Sequence, residues 1–80
     1  MESGIINMLK VSITKEKVKV TNGSEILLVT NNNINAYLKL YSALEGQEAD
    51  LYILEHYGKK IASSVDKNNF LAILRRWFGN

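Results

Sequence analysis

Few side chains in this 80-residue sequence could take part in chemistry. The single histidine, His56, follows Glu55, and Ser63 and Ser64 lie a few residues further on. These are the groups of a hydrolytic triad, but a nucleophile also needs an oriented base and an oxyanion site, and no spacing here supplies them. The sequence has no glycine-rich phosphate loop and no paired-carboxylate motif. We therefore expect a protein that is not an enzyme.

The composition excludes other kinds of site and partner. The absence of cysteine removes disulfides and thiolate zinc sites, and a single histidine makes a nitrogen-ligated metal cluster unfavourable, so we expect neither metal nor cofactor. The first nine residues contain one acidic and no basic side chain, and no apolar stretch is long enough to span a membrane. The formal charge of +2 does not demand a polyanionic partner. These features favour a cytoplasmic protein.

The only two arginines, Arg75 and Arg76, lie in the terminal segment FLAILRRWFGN. Cations in a last helical turn interact favourably with the helix dipole, by roughly 0.3 to 1 kcal/mol each, and need no partner. The planar guanidinium group is also well suited to a carboxylate or a phosphate. Phe78 beside them is an apolar group near the terminus that could contact a partner. These three residues form one candidate binding site.

The elements that position these residues follow from hydrophobic periodicity. Leu9 to Thr14 alternates apolar and polar residues, which predicts a half-buried strand. A first hairpin is predicted with residues 21–23 as its loop, Gly23 left-handed in a bulge, and Val18 opposite Ile26. A second hairpin is predicted around Gly58.

Two helices complete the pattern. In the first, asparagines supply the N-cap and Gly46 is predicted as a left-handed residue after the helix; in the second, Asp66 is the cap and Gly79 ends the helix. Each has a wide apolar stripe: Ile34, Tyr37, Leu38, Leu40, Tyr41 and Leu44 in the first, and Phe70, Leu71, Ile73, Leu74 and Trp77 in the second.

The predicted fold is of the α+β class, with the order βββαββα in one domain spanning residues 1–80. We expect an antiparallel sheet of about five strands with both helices packed on one face. An offset of 33 residues superposes 18–46 on 51–79, which suggests an internal ββα duplication, although two similar amphipathic units would also match in part. Under this offset Trp77 is a core residue.

The sheet face turned away from the helices is the second candidate site. If Val18, Val20, Ile26, Leu28, Ile53 and Ile61 face the helices, alternation sends a partly apolar set to the other side. That set consists of Lys17, Lys19, Leu27, Val29, Tyr52, Leu54, Lys60 and Ala62. A protein partner, a second copy of the chain, or the N-terminal Ile5, Ile6 and Met8 folding back could cover it.

The sequence therefore predicts a small non-enzymatic protein-binding module that regulates or inhibits a larger protein by occupying its surface. A composition rich in Asn, Ile and Lys suits a small accessory protein of a phage or mobile element. The alternative is a nucleic-acid-binding protein that uses Lys17, Lys19 and Lys60 or the arginine pair, with Tyr52 as the one aromatic residue available for stacking. The predicted partner-binding residues are Leu27, Val29, Tyr52, Leu54, Arg75, Arg76 and Phe78, and a homodimer is a further option.

Overall fold

A computed structural model of the protein describes residues 7–79 and confirms the order βββαββα. One five-stranded sheet has the strand order β3-β2-β1-β4-β5, and both helices pack on the same face of it. The elements are β1 Met8–Ile13, β2 Lys17–Asn22, β3 Glu25–Asn31, α1 Ala36–Glu45, β4 Leu51–His56, β5 Lys59–Ser64 and α2 Lys67–Phe78.

The central strand β1 is the middle of the core. Its alternate residues Leu9, Val11 and Ile13 are buried, as the sequence pattern predicts. The β1–β2, β2–β3 and β4–β5 pairs are antiparallel, whereas β1 and β4 run parallel, so the sheet is mixed rather than wholly antiparallel. The long connection through α1 makes the parallel pair feasible, because a parallel neighbour requires a crossover rather than a tight turn.

The first hairpin turns at Gly23 and Ser24. Gly23 has a φ of 62°, as predicted, and Asn22 lies opposite Glu25. A positive φ at only the first of two loop residues is typical of a type II′ turn, and glycine is the preferred residue at that first position. The predicted register is wrong, because Val18 lies opposite Thr30 rather than Ile26. The bulge that we placed at the loop instead lies inside β3, at the residue between Ile26 and Leu28.

The second hairpin turns at Tyr57 and Gly58, as predicted from the glycine. Both residues have positive φ, 52° and 79°, the pattern of a type I′ turn. A bulky residue is strained at such a φ. Two hydrogen bonds hold Tyr57 there: its backbone N–H donates to the Ile13 carbonyl (3.0 Å), and its Oη accepts the Lys15 N–H (2.7 Å).

The predicted orientation of β4 is wrong, as is that of Ala62 in β5, whereas Lys60 lies on the predicted side. Tyr52 and Leu54 are buried on the helix side, and the Tyr52 ring stacks on Phe70 with 5.4 Å between centroids. Neighbouring residues of paired strands share a face, and Leu9 lies beside Tyr52 in the β1–β4 ladder. Ala62, opposite Leu54, therefore also lies on the helix side, while Ile53 is turned to the other face.

The inner faces of the helices are narrower than predicted. In α1 the buried residues are Ala36, Leu40 and Leu44, and in α2 they are Phe70 and Leu74. Ile34, Leu38 and Tyr41 are exposed, as is Trp77 at 40%, so their assignment to the core is wrong. Phe78 instead turns inward, with its ring 6.1 Å from that of Tyr37.

Two ββα units of the structure correspond to each other at an offset of 34 residues, rather than the 33 of the sequence match. Val18 corresponds to Tyr52, Val20 to Leu54, Ala36 to Phe70 and Leu40 to Leu74, and each of these residues is buried. The units β2-β3-α1 and β4-β5-α2 lie on either side of β1, with their helices on one face of the sheet. They are thus related by an approximate two-fold axis normal to the sheet at β1. The axis relates the two strands that flank β1, which therefore run in opposite directions. A single strand between them must be antiparallel to one and parallel to the other.

The helix ends differ from one another. Asp66 caps α2 by accepting the Asn69 N–H (3.2 Å), as predicted, whereas the N-cap residue of α1, Asn35, makes no side-chain cap bond. Gly46 and Gly79 have φ of −93° and −90°, so the left-handed conformation predicted at Gly46 is absent.

Lys67, the first residue of α2, forms hydrogen bonds with the end of α1. Its ammonium donates to the carbonyls of Leu44 (3.3 Å), Glu45 (3.2 Å) and Gln47 (2.7 Å) and to the Glu48 carboxylate (3.0 Å). The last carbonyls of a helix have no partner within it. Lys67 supplies a donor to the Glu45 carbonyl and a second donor to the Leu44 carbonyl, which also accepts the Gln47 N–H (3.0 Å), and it links the two repeats.

Candidate protein-contact surfaces

The first surface is the side of the sheet opposite the helices, which we call the sheet face. The ladders place one residue from each strand in a row across it: Val29, Lys19, Ser12, Glu55 and Lys60. A second row contains Ile26, Thr21, Lys10, Ile53 and Ser63. Ile26 and Val29 of the edge strand β3 are 58% and 53% exposed.

The charge of the sheet face is mainly positive. Glu55 lies near its centre, where it accepts a hydrogen bond from Ser12 Oγ (3.2 Å) and pairs with Lys10 (3.4 Å). Lys17 Nζ donates to Asn31 Oδ1 (3.0 Å), and the predicted Lys17, Lys19 and Lys60 do lie on this face. An open depression of about 470 Å³ is lined by Ser12, Thr14, Lys17, Lys19 and Val29.

The apolar residues predicted for this face are placed differently by the structure. Val29 is on it and exposed, but Leu27, the extra residue of the bulge, is half-buried against the core. Tyr52 and Leu54 are core residues that no partner can reach. Ile26 takes their place because the bulge inverts the alternation of β3, which periodicity does not reveal. Of the residues proposed to fold over this face, Met8 lies in β1, and Ile5 and Ile6 are outside the described residues.

The second surface lies on the outer side of the two helices, and we call it the helix-layer surface. Its exposed apolar residues are Ile34 at 93%, Leu38 at 67% and Tyr41 at 42%. A groove of about 250 Å³ between α1 and α2 adjoins them, lined by Tyr37, Tyr41, Asn68, Leu71, Ala72 and Arg75. Sequence reasoning missed this surface because α1 is apolar on both sides, and its periodic stripe was assigned wholly to the core.

The candidate residues of the terminal helix do not act as one cluster. Arg75 lines the groove beside Tyr37 and Tyr41, while Arg76 is exposed one position further along α2. Both lie in the last turn, where their positive charges interact favourably with the helix dipole. Phe78 packs on Tyr37, so little of it is left for a partner.

The residues considered for catalysis have structural contacts. The His56 ring packs edge-on against Trp77 (5.1 Å between centroids) and Tyr57 (4.7 Å). Ser64 Oγ donates to the Asp66 carbonyl (3.1 Å) and accepts the Asp66 N–H (3.1 Å) and an Asn69 amide hydrogen (3.0 Å). Ser63 lies on the other face of β5.

Within residues 7–79 no group of three or more His, Cys, Asp or Glu residues is arranged to hold a metal ion. No helix in the same range is both long enough and apolar enough to cross a membrane. Comparison with protein-family models, with curated proteins and with solved structures gives no match to this chain.

Proposed function

We propose that the protein is a small non-enzymatic binding module that regulates or inhibits a larger protein by covering part of its surface, with the sheet face as the contact. The observation that carries this proposal is the exposure of Ile26 and Val29 on a face that neither helix covers. Exposed apolar residues bordered by charges are typical of protein interfaces.

The charges indicate the complementary chemistry of the partner. Lys17 and Lys19 lie on β2 beside the apolar residues of β3, and Lys60 lies at the opposite edge of the same face, on β5. The one carboxylate of the two rows, Glu55, is already engaged with Lys10 and Ser12. A partner surface with an apolar centre and an acidic rim would fit, because complementary charges accelerate encounter and disfavour other partners. We place this action in the cytoplasm. An inhibitor of a host protein encoded by a phage or mobile element belongs to this class.

Two substitutions test the sheet face. The wild-type chain is used to capture proteins from extracts of the native host and of its natural target cell, and the captured proteins are identified. Binding is then measured with the purified partner. Val29→Glu places a charge among the exposed apolar residues and should raise the Kd about tenfold or more. Lys60→Glu should weaken binding less, because a charge at the rim contributes mainly to the association rate.

Lys59→Glu is the matched control for Lys60→Glu. The two lysines are neighbours in β5, but Lys59 lies opposite His56, on the helix side, and both are exposed. A partner that still binds both Val29→Glu and Lys60→Glu with wild-type affinity would show that the contact is elsewhere.

Nucleic-acid binding is the second candidate, favoured by the gathering of Lys17, Lys19 and Lys60 on one face. We rank it lower because Tyr52 is buried and the described strands bring no other aromatic residue to this face. It predicts that affinity for a single-stranded oligonucleotide falls steeply between about 50 and 200 mM salt and is lost when the three lysines become alanine. Undetectable or salt-insensitive binding would eliminate it.

A further inference from the structure

The helix-layer surface exposes more apolar side chain than the fold requires. The core is already filled by the inner side of α1, where Ala36, Leu40 and Leu44 are buried. Leu38 and Tyr41 lie three residues apart on the outer side of α1, and Ile34 lies in the turn just before the helix, four residues ahead of Leu38. Residues three apart lie on one side of a helix, so Leu38 and Tyr41, preceded by Ile34, form an exposed apolar stripe. Such a stripe is typical of a contact surface.

The charges at the two ends of this stripe are opposite. Because Lys67 at the start of α2 reaches the carbonyl of Glu45 (3.2 Å), and Phe78 at its end packs on Tyr37, the helices are antiparallel. Arg75 and Arg76 therefore lie at the end where α1 begins. Glu45, Glu48 and Asp66 lie at the end where α1 finishes, together with Lys67, whose charge is paired with Glu48, so this end is acidic in net charge.

We propose that this surface binds a second copy of the chain. A surface with an apolar middle and opposite charges at its ends is complementary to itself when one copy is turned end over end about an axis perpendicular to the helices. In that dimer the apolar stripes of the two α1 helices face each other, antiparallel, and Arg75 of each copy lies towards the partner's Glu45. Turning one copy about an axis parallel to the helices would bring like charges together instead.

The proposed interface is isologous, the commonest form of homodimer, because the same residues contribute from both copies. The helix layers are inside and both sheet faces point outwards. The dimer is therefore independent of the proposed function, and each copy keeps its sheet face available for a partner.

The apolar part of the interface is tested by sedimentation equilibrium up to about 1 mM protein, where even a millimolar Kd gives appreciable dimer. The wild-type chain should dimerise, and Leu38→Gln should raise the dimer Kd at least about tenfold. Ile34→Gln, at the most exposed position of the stripe, should act in the same direction. Val29→Gln is the control, because Val29 is similarly exposed but lies on the sheet face.

The charges are tested by mixing two variants. Arg75→Glu and Glu45→Lys should each weaken the homodimer, because each places like charges at both ends of the interface. An equimolar mixture should form a heterodimer of near wild-type affinity, since both opposite-charge pairs are then restored. A wild-type chain that stays monomeric, a dimer unaffected by Leu38→Gln, or a mixture no tighter than its components would each overturn the proposal.

Discussion

At the scale of single residues, Lys67 has the most consequential contacts. Its side chain is mostly buried. The ammonium donates to three backbone carbonyls and one carboxylate, which belong to the last turn of α1 and to the residues just after it. These bonds link the start of α2 to residues 44–48. The sequence gives no sign of this role, since Lys67 stands among polar residues beside a helix cap.

Lys67→Met should lower the free energy of unfolding by about 1 to 2 kcal/mol, because hydrogen bonds from a charged group are replaced by an apolar end. Urea unfolding followed by circular dichroism measures the change. Lys59→Met is the control, and a change within about 0.5 kcal/mol is expected at that exposed position. Equal effects of the two substitutions would contradict the role of Lys67.

Tyr52 shows how one residue changes its meaning with its surroundings. In the sequence it is the one aromatic side chain predicted for the sheet face, whereas in the structure its ring stacks on Phe70 and its Oη accepts the Ala49 N–H (3.1 Å). A charged substitution at Tyr52 would therefore test stability rather than binding, because burying an unpaired charge is strongly destabilising. Val29 and Leu38 are the informative positions on the two surfaces.

At the scale of elements, the two helices begin in different ways. Asp66 has the β-region backbone of an N-cap and accepts the Asn69 N–H, while Asn35 has a helical backbone and no cap bond. The neighbouring Asn33 Oδ1 accepts the Asn35 N–H (3.0 Å), so the asparagines at the start of α1 form a turn rather than a side-chain cap. Composition alone suggested the same function at both helix starts.

Asp66→Ala should destabilise the fold by about 1 kcal/mol, since a free helical N–H loses its acceptor. Asn35→Ala should change stability by less than about 0.5 kcal/mol, because no cap bond is lost. Thermal or urea unfolding of the two variants compares the caps directly. A larger loss at Asn35 than at Asp66 would mean that the two helix starts are not as described.

At the scale of the whole molecule, β1 joins two similar halves. The units β2-β3-α1 and β4-β5-α2 share no strand pair with each other among the described residues, and they meet only through β1 and through the contact between the helices. Val11, at the middle of β1, lies between Val20 and Leu54 in the two ladders and is fully buried. The stability of both halves should therefore depend on it.

Val11→Ala should cost about 2 to 3 kcal/mol and leave one cooperative transition, because loss of the central packing weakens both halves together. Val29→Ala is the matched control: the same change at an exposed edge position should cost under about 0.5 kcal/mol. The measurements are urea unfolding by circular dichroism and by Trp77 fluorescence, which should coincide. Two separate transitions would show that the halves fold independently.

Sequence alone determined the order of the elements, the alternation of β1, the turns at Gly23 and Gly58, and the cap at Asp66, because each of these depends on local backbone preferences or on an unambiguous period. Tertiary structure decided which sides of β4 and α1 are buried. Residues 51–54 read LYIL, and α1 has apolar residues on both sides, so periodicity is compatible with either side facing inwards. The register of β4 against its parallel neighbour β1 places Tyr52 and Leu54 in the core, and a bulge in β3 exposes Ile26. Both choices depend on long-range register, which no local pattern contains.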